Sequence, residues 1–83
     1  MGSKYPILPP SDIIRVLKKL GFVFKSQKGS HVKYTKISKG LPTRTVIIPN
    51  HDEVAKGTLQ SILEQADISF DEFMRELWNK NVC

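Results

Sequence analysis

The sequence predicts an α+β fold of order α-β-β-β-α-α, a three-stranded antiparallel sheet packed on helices. Three observations predict it. Ile13, Val16, Leu17 and Leu20 fall at i, i+3, i+4 and i+7, and Leu59, Ile62, Leu63 and Ala66 repeat that spacing, so one helical stripe lies on each side of the middle of the chain. Between the stripes lie three runs of strand character, joined by links too short for a parallel crossover. The 83 residues, 40% apolar and 25% charged, suit one domain with one core. A chain of this size buries only roughly 60–65% of its unfolded surface. A single domain over 1–83 is therefore expected, with a shallow site of few groups and no large cofactor cradle.

Each element has a local cause. An extended leader over 1–10 ends at Pro9-Pro10, Ser11 offers an N-cap, and the first helix runs over 12–20 with Gly21 as its C-terminal stop. Phe22 to Gln27 reads as a strand and Lys28-Gly29 as a turn. Ser30 to Ile37 reads as a second strand, with Val32 and Tyr34 on one face and His31, Lys33 and Thr35 on the other. Ser38 to Pro42 is a loop of turn formers, and Arg44 to Ile48 a β-branched third strand that Pro49 stops. After a polar connection from Asn50 to Gly57, a second helix covers 58–66. Ser69 and Glu72 then form a capping box for a third helix, whose stripe is Phe70, Phe73, Met74, Leu77 and Trp78. This extra helix and its tail occupy 69–83. The first two helices cover one sheet face, which leaves the face carrying His31 and Lys33 open.

The charge narrows the partner. The net charge is +5, but residues 1–56 carry +8 and residues 57–83 carry −3. Between Ile13 and His51 there are nine basic residues and no acidic one. A one-signed field over half a small domain favours a polyanion, RNA or DNA before a membrane surface. The other reading is a solvated basic face that only aids solubility.

Several classes are disfavoured. The one cysteine, Cys83, allows no internal disulfide and no cysteine-based zinc site, and suits a reducing cytoplasm. No apolar run approaches a membrane span, and no nucleotide-binding or hydrolase motif is present. A Ser/His/Asp triad drawn from Ser30, His31, His51 and Asp52, or a metal site from His31, His51, Asp52 and Glu53, has no diagnostic spacing behind it.

What remains is His31, directly after the Gly29-Ser30 turn and ringed by Lys25, Lys28 and Lys33. Histidine titrates near neutrality and suits proton transfer at cellular pH. The neighbouring cations would hold phosphates. RNA carries its own nucleophile, the 2′-hydroxyl, so a cleaving site needs little beyond proton transfer and cations to stabilise the phosphorane. A lone histidine among lysines equally describes an ordinary surface residue.

The segments Leu17 to Phe22, Gln27-Lys28-Gly29-Ser30-His31, Thr45 to His51 and Lys56 to Ala66, then Ile68-Ser69 and Phe73, closely resemble the HicA toxins of bacterial type II toxin–antitoxin systems. The match runs in order over about residues 11–75. The resemblance implies a fold like a double-stranded RNA-binding domain and an mRNA interferase that cleaves translated messages and arrests growth; 2′-hydroxyl attack assisted by His31 would make that cleavage metal-independent. It also implies a HicB-type antitoxin that covers the site. The family's catalytic histidine falls on His31, with Gly29 shaping the turn and Ser30 helping to position substrate. Lys25, Lys28 and Lys33 would then contact RNA. Two departures stand out: Asp67 replaces the glycine expected after the second helix, and the tail from Arg75 to Cys83 extends past the usual end. A non-catalytic RNA-binding module of the same fold, or a protein-interaction domain with a basic face, would share these features.

Overall fold

The structure, a computed structural model, describes residues 5–79; Cys83, the last residues of the tail and the start of the leader lie outside them. The order is α1 (Pro10–Lys19), β1 (Val23–Lys28), β2 (His31–Lys36), β3 (Arg44–Pro49), α2 (Lys56–Ala66) and α3 (Phe70–Trp78). This is the α+β order that the periodicities predict, and it agrees with the double-stranded-RNA-binding-domain-like fold that the resemblance implies. The strands form one antiparallel meander, β1-β2-β3.

The first helix begins earlier than its serine suggests. Pro10 opens α1 with Pro9 as the extended N-cap, and no side chain caps it. Proline at the first helical position has no N–H to satisfy and arrives with a helical φ, so Ser11 sits inside the first turn. Both α1 and α2 stop through the same device. Beyond α1, Phe22 N–H donates to Leu17 O and Gly21 N–H to Lys18 O, with Gly21 at φ +99°. Beyond α2, Ile68 N–H donates to Leu63 O and Asp67 N–H to Glu64 O, with Asp67 left-handed at φ 60°, ψ 44°. A side chain at Gly21 would be strained by its φ and would also meet Lys36 Cε at 3.3 Å.

The core lies between one sheet face and the helices. Ile13, Val16 and Leu17 of α1 and Leu59, Ile62 and Leu63 of α2 are buried against Val32, Tyr34, Val46 and Ile48. Tyr34, whose face periodicity alone left open, is on the core side, its ring edge-on to Phe24 with centroids 5.9 Å apart. The leader is tied down: Leu8 bridges Val54, whose N–H donates to Leu8 O, and Tyr5 stacks edge-on against Phe70. Among the described residues no helix is long and apolar enough to cross a membrane.

Two expectations change. Thr35 shares the parity of His31 and Lys33 yet is buried, because it occupies the central strand between Val23 and Thr45. On α3, Phe73 and Leu77 are buried and Phe70 and Met74 half-buried, but Trp78 is 76% exposed. Five residues at 100° each turn Trp78 about 140° from Phe73, off the packed stripe. The third helix packs against α1. Ser69 caps it as expected, with Glu72 N–H donating to Ser69 Oγ at 3.0 Å.

Candidate active site

The site is set by a two-residue hairpin and a bulge. Gly29 and Ser30 join β1 to β2, with Lys28 opposite His31. Gly29 has φ +60°, while Ser30 is not among the residues of positive φ, which is the pattern of a type II′ turn with glycine first. No neighbour lies within 4 Å of where a Gly29 side chain would begin, so conformation and not space requires the glycine. On the other side, His31 lies opposite Pro49, and Asn50 N–H donates to Ser30 O at 2.6 Å. The turn is thus held from both flanking strands.

The bulge decides which β1 side chains join it. Phe24 pairs with Tyr34, but Ser26 pairs with Lys33, so Lys25 is the extra residue. One extra residue reverses the alternation beyond it. Were Lys25 paired in ordinary alternation, Ser26 and Lys28 would share the core side with Phe24. Because it is bulged out, they stand on the open side with His31.

Two cross-strand rows result. Lys28, His31 and Pro49 form the first; Ser26, Lys33 and Ile47 form the second. A shallow depression is lined by Ser26, Lys28, His31, Lys33 and Ile47. It therefore brings together three of the predicted residues, His31, Lys28 and Lys33. Gly29 and Ser30 form the adjoining turn, and Lys25 stands at the bulge outside the lining. His51 is exposed in the connection after β3 and does not line the depression. Ser26 and Ile47 were not singled out by the sequence. Strand parity finds Ile47 beside Lys33 once the β2–β3 register is known, but nothing local marks the bulge that brings in Ser26.

The electrostatics follow from the topology. None of the eight acidic residues of the chain falls in β1, β2 or β3. His31 and Lys28 are exposed and Lys33 is half-buried, and none of the three has an ion-pair partner among the described residues. Four other cations are occupied. Arg15 Nη2 donates to Leu77 O at 3.4 Å, and Lys19 Nζ to Glu76 O at 3.4 Å and to Asn79 O, at the C-terminal end of α3. Arg44 pairs with Asp67 at 3.3 Å, and Lys36 Nζ lies 5.9 Å from the centroid of the Phe22 ring. The depression thus offers an imidazole and two ammonium groups without an ion-pair partner among the described residues on one surface. No group of three or more histidine, cysteine or carboxylate side chains is placed to hold a metal among the described residues.

No curated protein matches the chain in sequence. The family profile described as "HicA toxin of bacterial toxin-antitoxin" matches residues 10–68, a span that runs from the first residue of α1 through all three strands and α2. The chain belongs to the HicA toxin family.

Proposed function

We propose that the chain is an mRNA interferase, an endoribonuclease that uses His31 and no metal and thereby arrests translation and growth. The observation that carries this reading is the position of His31 between two unpaired lysines in an acid-free depression. In the proposed step, the 2′-hydroxyl oxygen attacks the adjacent phosphorus and passes its proton to an imidazole nitrogen of His31. The phosphorus–O5′ bond breaks and the departing 5′-oxygen takes up a proton. The products are a 2′,3′-cyclic phosphate and a 5′-hydroxyl. Lys28 and Lys33 stabilise the charge that gathers on the phosphoryl oxygens, where cations act more strongly than in the ground state. Lys25, at the bulge, adds a phosphate contact outside the depression, and the Gly29-Ser30 turn sets the approach of the strand.

The family adds a partner of the HicB type, an antitoxin that covers the depression and pairs acidic groups with Lys28 and Lys33. A cytoplasmic location goes with a message substrate. Induced expression of the wild type and of His31→Ala, scored for growth and RNA integrity, tests the reading. Arrest and RNA decay with the wild type alone support it. Cleavage that requires a divalent metal, or that leaves 3′-hydroxyl ends, overturns the mechanism. One observation favours a second reading: His31 is the sole histidine lining the depression, which holds no carboxylate to act beside it. A non-catalytic RNA-binding module would bind RNA in a salt-dependent way, cut nothing, and bind unchanged after His31→Ala.

A further inference from the structure

The depression has a side that the proton-transfer chemistry leaves unused. Ile47 is an aliphatic side chain 42% exposed on an otherwise polar, cationic surface. Its backbone is fixed, since Ile47 N–H donates to Gln65 Oε1 of α2 at 3.2 Å. It stands directly across from Lys33 and diagonally from His31, a spacing of about 7 Å between such neighbours. Ser26 closes the same row on the other side of Lys33. We infer that this row is a seat for one nucleobase. The base of the nucleotide whose 2′-hydroxyl faces His31 lies on Ile47, Ser26 Oγ reaches its edge, and Lys33 holds the phosphate between them. The inference rests on the RNA-cleaving reading and adds specificity determinants to it.

The occupant follows from charge and shape. A face without acidic residues, with lysines in both rows, takes an anion, and an exposed aliphatic side chain beside those lysines takes a flat apolar surface. An unpaired nucleotide presents both on one unit, because its base is free to leave the stack and rest on protein. Apolar contact of this kind tolerates several bases, so a single hydroxyl, Ser26 Oγ, is left to discriminate between them. Removing Ile47 should weaken the seat without removing the chemistry.

The test is a cycle on protein and RNA. A short single-stranded RNA is first mapped for its cut position with the wild type. It is then resynthesised with an abasic residue at the nucleotide 5′ to the cut. The wild type should cut the abasic RNA about tenfold more slowly, as loss of one such base contact implies. Ile47→Ala should cut the intact RNA about tenfold more slowly and lose little further on the abasic one. Ile47→Val, which keeps the branched aliphatic surface, should behave like the wild type, and Ser26→Ala should broaden the set of cut positions. Independent, additive losses, or an Ile47→Ala rate equal to wild type, would overturn the seat and leave the cleavage reading standing. A wild-type chain that cuts no RNA would overturn both.

Discussion

The cations of α1 and those of the β1–β2 hairpin are chemically alike and structurally opposite. Arg15 and Lys19 donate to carbonyls at the end of α3, where a helix carries partial negative charge. Lys28 and Lys33 stand in the depression with His31 and have no ion-pair partner among the described residues. Four of the nine basic residues of the run therefore form a bracing pair and a presenting pair. What divides these four is the third helix, whose C-terminal carbonyls bring acceptors to Arg15 and Lys19 of the first helix.

The contrast breaks most sharply at His31. His31→Ala should lower cleavage by at least about 100-fold, the usual contribution of a positioned acid or base, with the melting temperature within a degree or two of wild type. The residue is exposed and its imidazole makes no hydrogen bond among the described residues, so an unfolded variant would show that its role is structural. Removing Lys25 tests the hairpin from its backbone. Deletion restores simple alternation in β1 with Ser26 still opposite Lys33 and Lys28 still opposite His31, so a folded product should keep its activity within severalfold of wild type. Lys25→Ala removes the same charge with the bulge kept and should cost as little. Loss of most activity on deletion alone would show that the local geometry of the bulge, and not only the register, shapes the site.

Next in size after His31 is the exchange between the two sets of cations. Lys28→Ala or Lys33→Ala should slow cleavage about tenfold and reduce the slope of log binding constant against log salt by about 0.7, the value for one phosphate contact on a single strand. Arg15→Ala or Lys19→Ala should do neither. Each should instead lower stability by about 1 kcal/mol, or about 5 °C in melting temperature for a domain of this size. The loss at Arg15 is held down because its Nη1 is buried with no acceptor among the described residues, so substitution also relieves an unsatisfied donor. A change in RNA affinity on removing Arg15 would merge the two sets again.

This division shows how far the sequence carries. Helix stripes, the Gly21 stop, the left-handed Asp67 and the Ser69–Glu72 cap are local, each decided by residues within one or two turns, and all were legible. His31, Lys28 and Lys33 were legible through the turn and the charge run. The bulge was not, because Phe24 to Lys28 is a run of exposed edge-strand residues that carries no burial signal to mark a slip. Ile47 was hidden for the opposite reason: within Thr45-Val46-Ile47-Ile48 every residue is a good strand former, and only pairing with β2 separates the open side from the core. Trp78 and the bracing of α1 depend on where α3 docks, which periodicity does not specify.

The smallest effect isolates geometry from charge. Asp67 holds a left-handed conformation that costs an ordinary L-residue roughly 1–2 kcal/mol and aspartate less. Asp67→Gly removes that cost but loses the exposed pair with Arg44, worth about 0.5 kcal/mol, and adds unfolded-chain entropy. The net should be a gain of about 0.5 kcal/mol, rising in high salt as the pair it sacrifices is screened. Asp67→Ala, with the strain kept and the pair lost, should be the least stable of the three. The same substitution releases Arg44 at the far end of the sheet from His31, about 16 Å along β2 by strand rise. Cleavage should stay unchanged, because an additional free cation contributes only where the hairpin presents it. A faster Asp67→Gly enzyme would mean that RNA runs the full length of the sheet and that Arg44 belongs with Lys28 and Lys33.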